Sequence, residues 1–156
     1  FLGINRQGQV SVFTTKGNAY GHIVLRGGSA GPNYDSVHVK LCEEALEKAG
    51  VPSNIMVDCS HANSDKDHTR QPLVAQEICR QIIAGNRSVI GLMIDSHLRD
   101  GNQKLTRGGD GLDYGVSITD ACIDWDTTVT LLHDLADKLR SPLLQRVTAT
   151  KAAASS

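Results

Sequence analysis

His61 stands in the run Asp58-Cys59-Ser60-His61-Ala62-Asn63-Ser64, where an apolar stretch turns polar within a few residues. Asp95 closes another apolar run, and Asp120 sits in Ser117-Ile118-Thr119-Asp120-Ala121-Cys122. One imidazole and two carboxylates form a ligand set suited to Mn²⁺, Fe²⁺, Co²⁺ or Zn²⁺. Such an ion polarises a carbonyl oxygen as a Lewis acid. Arg26, followed by Gly27-Gly28, sets a planar guanidinium with five donors beside backbone that a ligand can approach closely, which suits phosphate or carboxylate. The glycine stretches continue into neither Gly-Lys-Ser/Thr nor GxGxxG after a strand, so nucleotide binding by those routes finds no support. His97 follows Asp95 by two and could point into the same site. Cys59, two before His61, reads as a core thiol, and His22, His38, His68 and His133 as structural or solvent-facing.

These groups need elements to position them. Residues 9–25 read as two strands around Lys16-Gly17-Asn18, where Gly and Asn supply hairpin turn conformations. Asp35 or Ser36 caps a helix with Val37, Leu41 and Ala45 on its apolar stripe, stopping at Gly50 before Pro52. A strand at residues 55–57 leads to a helix over 72–84, with Ile78 and Ile82 on one face. A strand over 89–94 is followed by a glycine-rich loop, 98–115, and a helix over 126–140 with Val129, Leu132, Ala136 and Leu139 on its buried stripe. Strands alternating with helices argue for parallel β/α units, and nearly all-apolar strands for cover on both faces. Strand ends at Arg26, His61 and Asp95 recur at intervals of 35 and 34 residues. In parallel β/α folds such ends share one face, so the three side chains are expected to converge there.

The chain has 156 residues, 16 Lys+Arg against 17 Asp+Glu, and a net charge of −1, so it exerts no global pull on nucleic acid or an anionic membrane. No apolar run reaches bilayer length and no signal peptide opens the chain, which reads as cytoplasmic. Its four cysteines lack a CxxC pair and are expected to be reduced thiols. The opening Phe-Leu-Gly-Ile, with no initiator Met, reads as entry in mid-strand into something longer. Residues 1–145 are expected to form the folded part and 146–156 a flexible tail.

At these residues the sequence resembles the class I 3-deoxy-D-arabino-heptulosonate-7-phosphate (DAHP) synthases. The likeness runs through FLGIN, TTKGNAYGHIVLRGG, PNYDS, IMVDCSHANSDKD, QPLVAQ, GNRSVIGLMIDSHLRDGNQ and YGVSITDACIDW, in family order. The resemblance implies an α/β fold that is the C-terminal portion of a (β/α)8 barrel with a preceding β-hairpin. It implies a transferase that condenses phosphoenolpyruvate with erythrose 4-phosphate, releasing phosphate in the first step of the shikimate pathway to aromatic amino acids. A divalent metal is implied, with His61, Asp95 and Asp120 matching family ligands. Arg26 matches an arginine that holds the anionic groups of phosphoenolpyruvate, and His61 is expected to touch the phosphate and act in catalysis.

Two departures stand out. Members of the family it resembles usually carry Glu where this chain has Asp95, and one methylene less retracts the carboxylate by about 1 Å or more. A full barrel needs about 250 residues, so the hairpin and last three of eight strands are expected here, without the family's cysteine ligand. This chain alone is therefore expected to be inactive and to belong with a preceding N-terminal segment. The FLGIN start is similar to the tyrosine-sensitive type, with Phe1 and Gly3 lining an effector pocket that has room for the tyrosine hydroxyl. Feedback inhibition and a homo-oligomer are implied. The competing readings are another metal-dependent barrel aldolase, or a non-catalytic, degenerate partial barrel acting as a binding or regulatory module.

Overall fold

The computed structural model describes residues 1–106 and 108–153. The chain folds as a mixed α/β structure. Strands β1 (Leu2–Ile4) and β2 (Val10–Val12) form an antiparallel pair. Strands β3 (Ile23–Leu25), β4 (Ile55–Asp58) and β5 (Val89–Met93) form a parallel sheet in that spatial order. Helices α1 (Ser36–Lys48) and α2 (Gln71–Ile83) are the crossovers, and α3 (Trp125–Ala153) follows the glycine-rich loop. Among the described residues no helix is long and apolar enough to cross a membrane.

The core lies between β4 and the helices. Ile55, Val57 and Cys59 alternate toward the helical side and are fully buried against Val39, Val74, Ile78 and Cys79. Asp35 starts α1 by accepting the Val37 and His38 amides at 3.0 and 3.2 Å, and the chain leaves that helix at Gly50 with φ +68°. Beyond β5, Ser96 bridges Ile123 in parallel, and Gly101 and Cys122 exchange backbone hydrogen bonds. The loop returning from the glycine-rich segment is thereby tied to the sheet's end.

Several expectations need correcting. The hairpin does not turn at Lys16-Gly17-Asn18. Asn5 makes the turn by accepting the Gln7 and Gln9 amides, each at 3.0 Å, and Gly8 supplies φ +77°. Residues 23–25 pair instead in parallel with Ile55–Val57, because long-range sheet pairing outweighs a local turn signal. On α1 the stripe Val37, Leu41 and Ala45 faces outward, and Val39, Cys42 and Leu46 pack inward. On α3 the inward residues are Thr128, Leu131, Leu135 and Leu139, while Leu132 and Ala136 are exposed. Only β4 is covered on nearly all of its surface; Ile23, Val24, Ile90 and Met93 remain exposed on the flanking strands. Helix α3 runs past residue 140 to Ala153; residues 154–156 of the expected tail lie outside the described residues.

Candidate metal centre

The carboxyl ends of β3, β4 and β5 deliver Arg26, the His61 loop and Asp95 to one rim, and residues 117–123 bring Asp120 to it. One ligand atom from each of His61, Asp95 and Asp120 can be chosen so that all lie within 4.8 Å of one another. Two donors about 2.1 Å from a shared ion stand at most about 4.2 Å apart. Closure therefore asks only a small movement, which Asp120, with its side chain 69% exposed, can make by rotation. Asp95 Oδ2 is buried and has no hydrogen-bond partner among the described residues. A buried carboxylate oxygen left unmatched is a donor suited to a cation.

His61 is aimed from both sides. Its Nε2 lies 3.4 Å from Asp120 Oδ2 and its Nδ1 lies 2.9 Å from Asp58 Oδ2, the latter short of hydrogen-bond alignment. A carboxylate at Nδ1 favours the proton there and leaves the Nε2 lone pair for a ligand, the usual support of a metal-binding imidazole. Asp58 is itself buried and accepts the Ser60 amide at 2.8 Å. His61 has φ +52°, a left-handed conformation for which a non-glycine residue needs strong surroundings. Those are supplied by Lys66 N–H and Ser64 Oγ, both donating to the His61 carbonyl at 2.8 and 3.2 Å.

Buried amides hold the loops. Gln71, fully buried at the start of α2, accepts the Asp95 amide at 2.8 Å and donates to the Asp95 carbonyl at 3.0 Å. Asn63 Nδ2 donates to the carbonyls of Leu25 at 3.0 Å and Asp58 at 2.8 Å, while its Oδ1 accepts the Asn33 amide at 2.8 Å. Asn33 in turn accepts the Gly27 amide at 2.7 Å. Gly27 itself, at φ +74°, packs so closely that a Cβ there would stand 2.7 Å from the Ala62 Cβ. The Arg26 loop and the His61 loop are thus one fastened unit.

The cleft on this rim measures about 810 Å³ and includes Arg26, Gly28, His61, Lys66, Asn102 and Asp120 among its lining. It is open, polar and able to receive an anionic molecule next to the three-ligand cluster. Of the residues singled out from sequence, Arg26, His61 and Asp120 line this cleft, and Asp95 joins His61 and Asp120 in the cluster beside it. His97 does not join them: it is exposed, and its Nδ1 accepts the Leu98 amide at 2.9 Å. Cys59 faces the core, where burial and then the Asp58 charge push its thiol up to about 12, so it stays protonated. Phe1 and Gly3 lie apart, on the hairpin. The Phe1 and Phe13 rings stack at 5.7 Å, and a Cβ on Gly3 would meet the Phe13 ring at 3.0 Å. Sequence reasoning missed Asp58, Asn63, Lys66 and Gln71. Asp58, three residues before the histidine, carried a readable signal as its orienting acid; the two amides carried none, since they act on distant backbone.

Comparison with known proteins gives the family. Residues 3–133 match the model of the DAHP synthetase I family. The Tyr-sensitive phospho-2-dehydro-3-deoxyheptonate aldolases of Salmonella typhimurium and Escherichia coli are each 50% identical over 147 residues, which is 94% of this chain and 41% of theirs. The tyrosine-inhibited protein of Schizosaccharomyces pombe is 48% identical over 143 residues, covering 90% and 38%. The solved phospho-2-dehydro-3-deoxyheptonate aldolase of Francisella tularensis superposes with a TM-score of 0.80 at 43% identity, covering 90% of this chain and 40% of that one. The chain spans about two fifths of the length of these relatives, and it belongs to the DAHP synthetase I family.

Proposed function

We propose that this chain contributes the rim of a (β/α)8 barrel at which phosphoenolpyruvate and erythrose 4-phosphate condense to DAHP. The observation that carries the reading is the convergence of His61, Asp95 and Asp120 beside Arg26, from four separate segments, in a chain of this family. The donor set and the unmatched Asp95 oxygen fit a divalent ion of the Mn, Fe, Co or Zn class. When bound, that ion supplies Lewis-acid polarisation of the erythrose 4-phosphate aldehyde.

The chain's own groups do the rest of the positioning. Arg26 receives the anionic groups of phosphoenolpyruvate through its planar fork, and the unsubstituted backbone of Gly27-Gly28 lets the ligand approach closely. His61 offers Nε2 to the rim while the Asp58 carboxylate faces the opposite nitrogen at 2.9 Å. The methylene carbon of phosphoenolpyruvate forms the new bond to the aldehyde carbon, water adds to the enol carbon, and inorganic phosphate leaves. The chain spans about two fifths of its relatives' length, so on this reading the rest of the barrel and further basic residues come from outside it and the chain alone is inactive. The hairpin, with Phe1 and Gly3, forms part of an effector pocket that prefers tyrosine, as the names of the similar aldolases suggest, and the enzyme assembles as a homo-oligomer.

The direct test is phosphate release from the two substrates in the longest natural form of the protein, with and without a chelator. Release that stops on chelation and returns with Mn²⁺ supports the reading. Absence of release together with absence of divalent-ion binding leaves the non-catalytic module as the better description. Calorimetry on the same protein checks the effector, tyrosine being expected to bind more tightly than phenylalanine.

A further inference from the structure

The loop after β4 carries a cation that nothing in the cluster uses. Lys66 lies in Asp65-Lys66-Asp67, between two carboxylates, yet its ammonium pairs with neither. Arg70 takes both, its Nη1 lying 3.4 Å from Asp65 Oδ2 and its Nε 3.2 Å from Asp67 Oδ2, and Thr69 Oγ1 donates to Asp67 Oδ1 at 2.6 Å. Among the described residues the Lys66 side chain has no hydrogen bond or ion pair, and it lines the same cleft as Arg26 and His61.

The backbone that puts it there is unusual. Asp65 and Lys66 are consecutive non-glycine residues at φ +58° and +59°, and the Lys66 amide closes the loop by donating to the His61 carbonyl at 2.8 Å. Residues of this type settle in the left-handed region only where the surroundings over-determine them, and such sites gather where ligands bind. Here the consequence is concrete: the loop doubles back so that residue 66 returns beside residue 61, and the cleft gains a flexible ammonium next to a rigid guanidinium.

Charge makes the placement consequential. Among the described residues that line the cleft, Arg26 and Lys66 supply two positive charges against the one carboxylate of Asp120. An incoming ligand that carries both a phosphate and a carboxylate needs more than one cation, and a point charge on a four-carbon stem complements a planar fork.

We propose that Lys66 is a second cationic contact, alongside Arg26, for the anionic groups of phosphoenolpyruvate. The proposal rests on the substrate reading above. It is tested by calorimetric titration of phosphoenolpyruvate into the longest natural form of the protein and into Lys66→Met, Lys66→Gln and Lys66→Arg, at two ionic strengths. Lys66→Met and Lys66→Gln are expected to raise Kd about tenfold or more at low salt and to flatten its dependence on salt, while Lys66→Arg stays within about threefold of the parent. Circular dichroism and Mn²⁺ binding by electron paramagnetic resonance are expected to be the same in all four proteins. A Kd for Lys66→Met and Lys66→Gln within about twofold of the parent overturns this inference and leaves the substrate reading standing. A parent protein that binds no phosphoenolpyruvate overturns both.

Discussion

Replacing Gly27 by alanine tests whether the two loops of the rim are held together by backbone contact. A Cβ at this position would stand 2.7 Å from the Ala62 Cβ, 2.8 Å from the Ala62 carbonyl carbon and 2.9 Å from the Asn63 amide nitrogen. Ordinary contact is about 3.5–4.0 Å, so each pair falls short by more than about half an ångström. Two of the three atoms are main chain and cannot rotate away. The residue also sits at φ +74°, where an L side chain costs about 1–2 kcal/mol. Overpacking adds about 1–3 kcal/mol, giving a loss of about 2–5 kcal/mol in all. Relief by moving the loops apart would strain the Gly27 amide's bond to Asn33 and the bond from Asn33 to Asn63, and so carry Arg26 away from His61. Gly28→Ala is the matched control, since a Cβ there meets nothing within 4 Å. Urea unfolding of the two variants is expected to show the full loss for Gly27→Ala and less than about 0.5 kcal/mol for Gly28→Ala. Equal stabilities, to within about 0.5 kcal/mol, would refute the close-packing argument.

Asp95→Glu extends the carboxylate by about 1.5 Å toward His61 and Asp120, and Mn²⁺ affinity measured by paramagnetic resonance is expected to rise about tenfold; a fall would show that the shorter side chain is already well placed. Gln71→Leu keeps the volume but strips the Asp95 amide of its acceptor, and is expected to destabilise the fold by about 1–3 kcal/mol and to weaken Mn²⁺ binding with it; unchanged metal binding would separate the amide from the site. The Cys59 thiol is pushed from 9.0 to about 12, chiefly by burial and further by Asp58. A folded-state value above the unfolded one means its contribution is complete below pH 9.0 and drains away as pH rises toward about 12, by about 1.4 kcal/mol per pH unit. Unfolding free energies at pH 8, 9 and 10 are expected to fall more steeply in the parent than in Cys59→Ala, and parallel slopes would contradict it.

The strand ends were legible because each apolar run stops at a polar residue: Ile55–Asp58 before His61, Val89–Met93 before Asp95. The caps were legible for a similar reason, since Asp35 and Gly50 act on backbone within a few residues. The helix faces were not. On α1 two aliphatic stripes compete, Val37/Leu41/Ala45 and Val39/Cys42/Leu46, and periodicity alone cannot say which one the sheet will meet. The hairpin's place is not legible, since a Gly-Asn turn signal stands at residues 17–18 while the partner of residues 23–25 lies some thirty residues away. Amides that act across 24, 30 and 38 residues of chain have no local signature at all, which is why Gln71 and Asn63 emerged only from the structure.

The site divides its labour between two kinds of residue. Asp120 and Arg26 are exposed and His61 and Asp95 half-buried, whereas Gln71 and Asn63 are 0% and 3% exposed. The buried amides grip main chain, not the chemical side chains: Gln71 holds the Asp95 peptide, Asn63 the Leu25 carbonyl just before Arg26, and the more exposed Asn102 donates to the Thr119 carbonyl just before Asp120 at 2.8 Å. Fastening through the backbone spares the acids and the guanidinium from holding the loops, with His61 facing Asp58 and Asp120, and a binding rim gains by this, because a side chain spent on internal bonds would have to break them before meeting a ligand. The same logic explains the left-handed residues at 61, 65 and 66. A loop gripped this firmly at its main chain can hold conformations that a freely hinged one would abandon, and those conformations turn His61 and Lys66 toward the same opening.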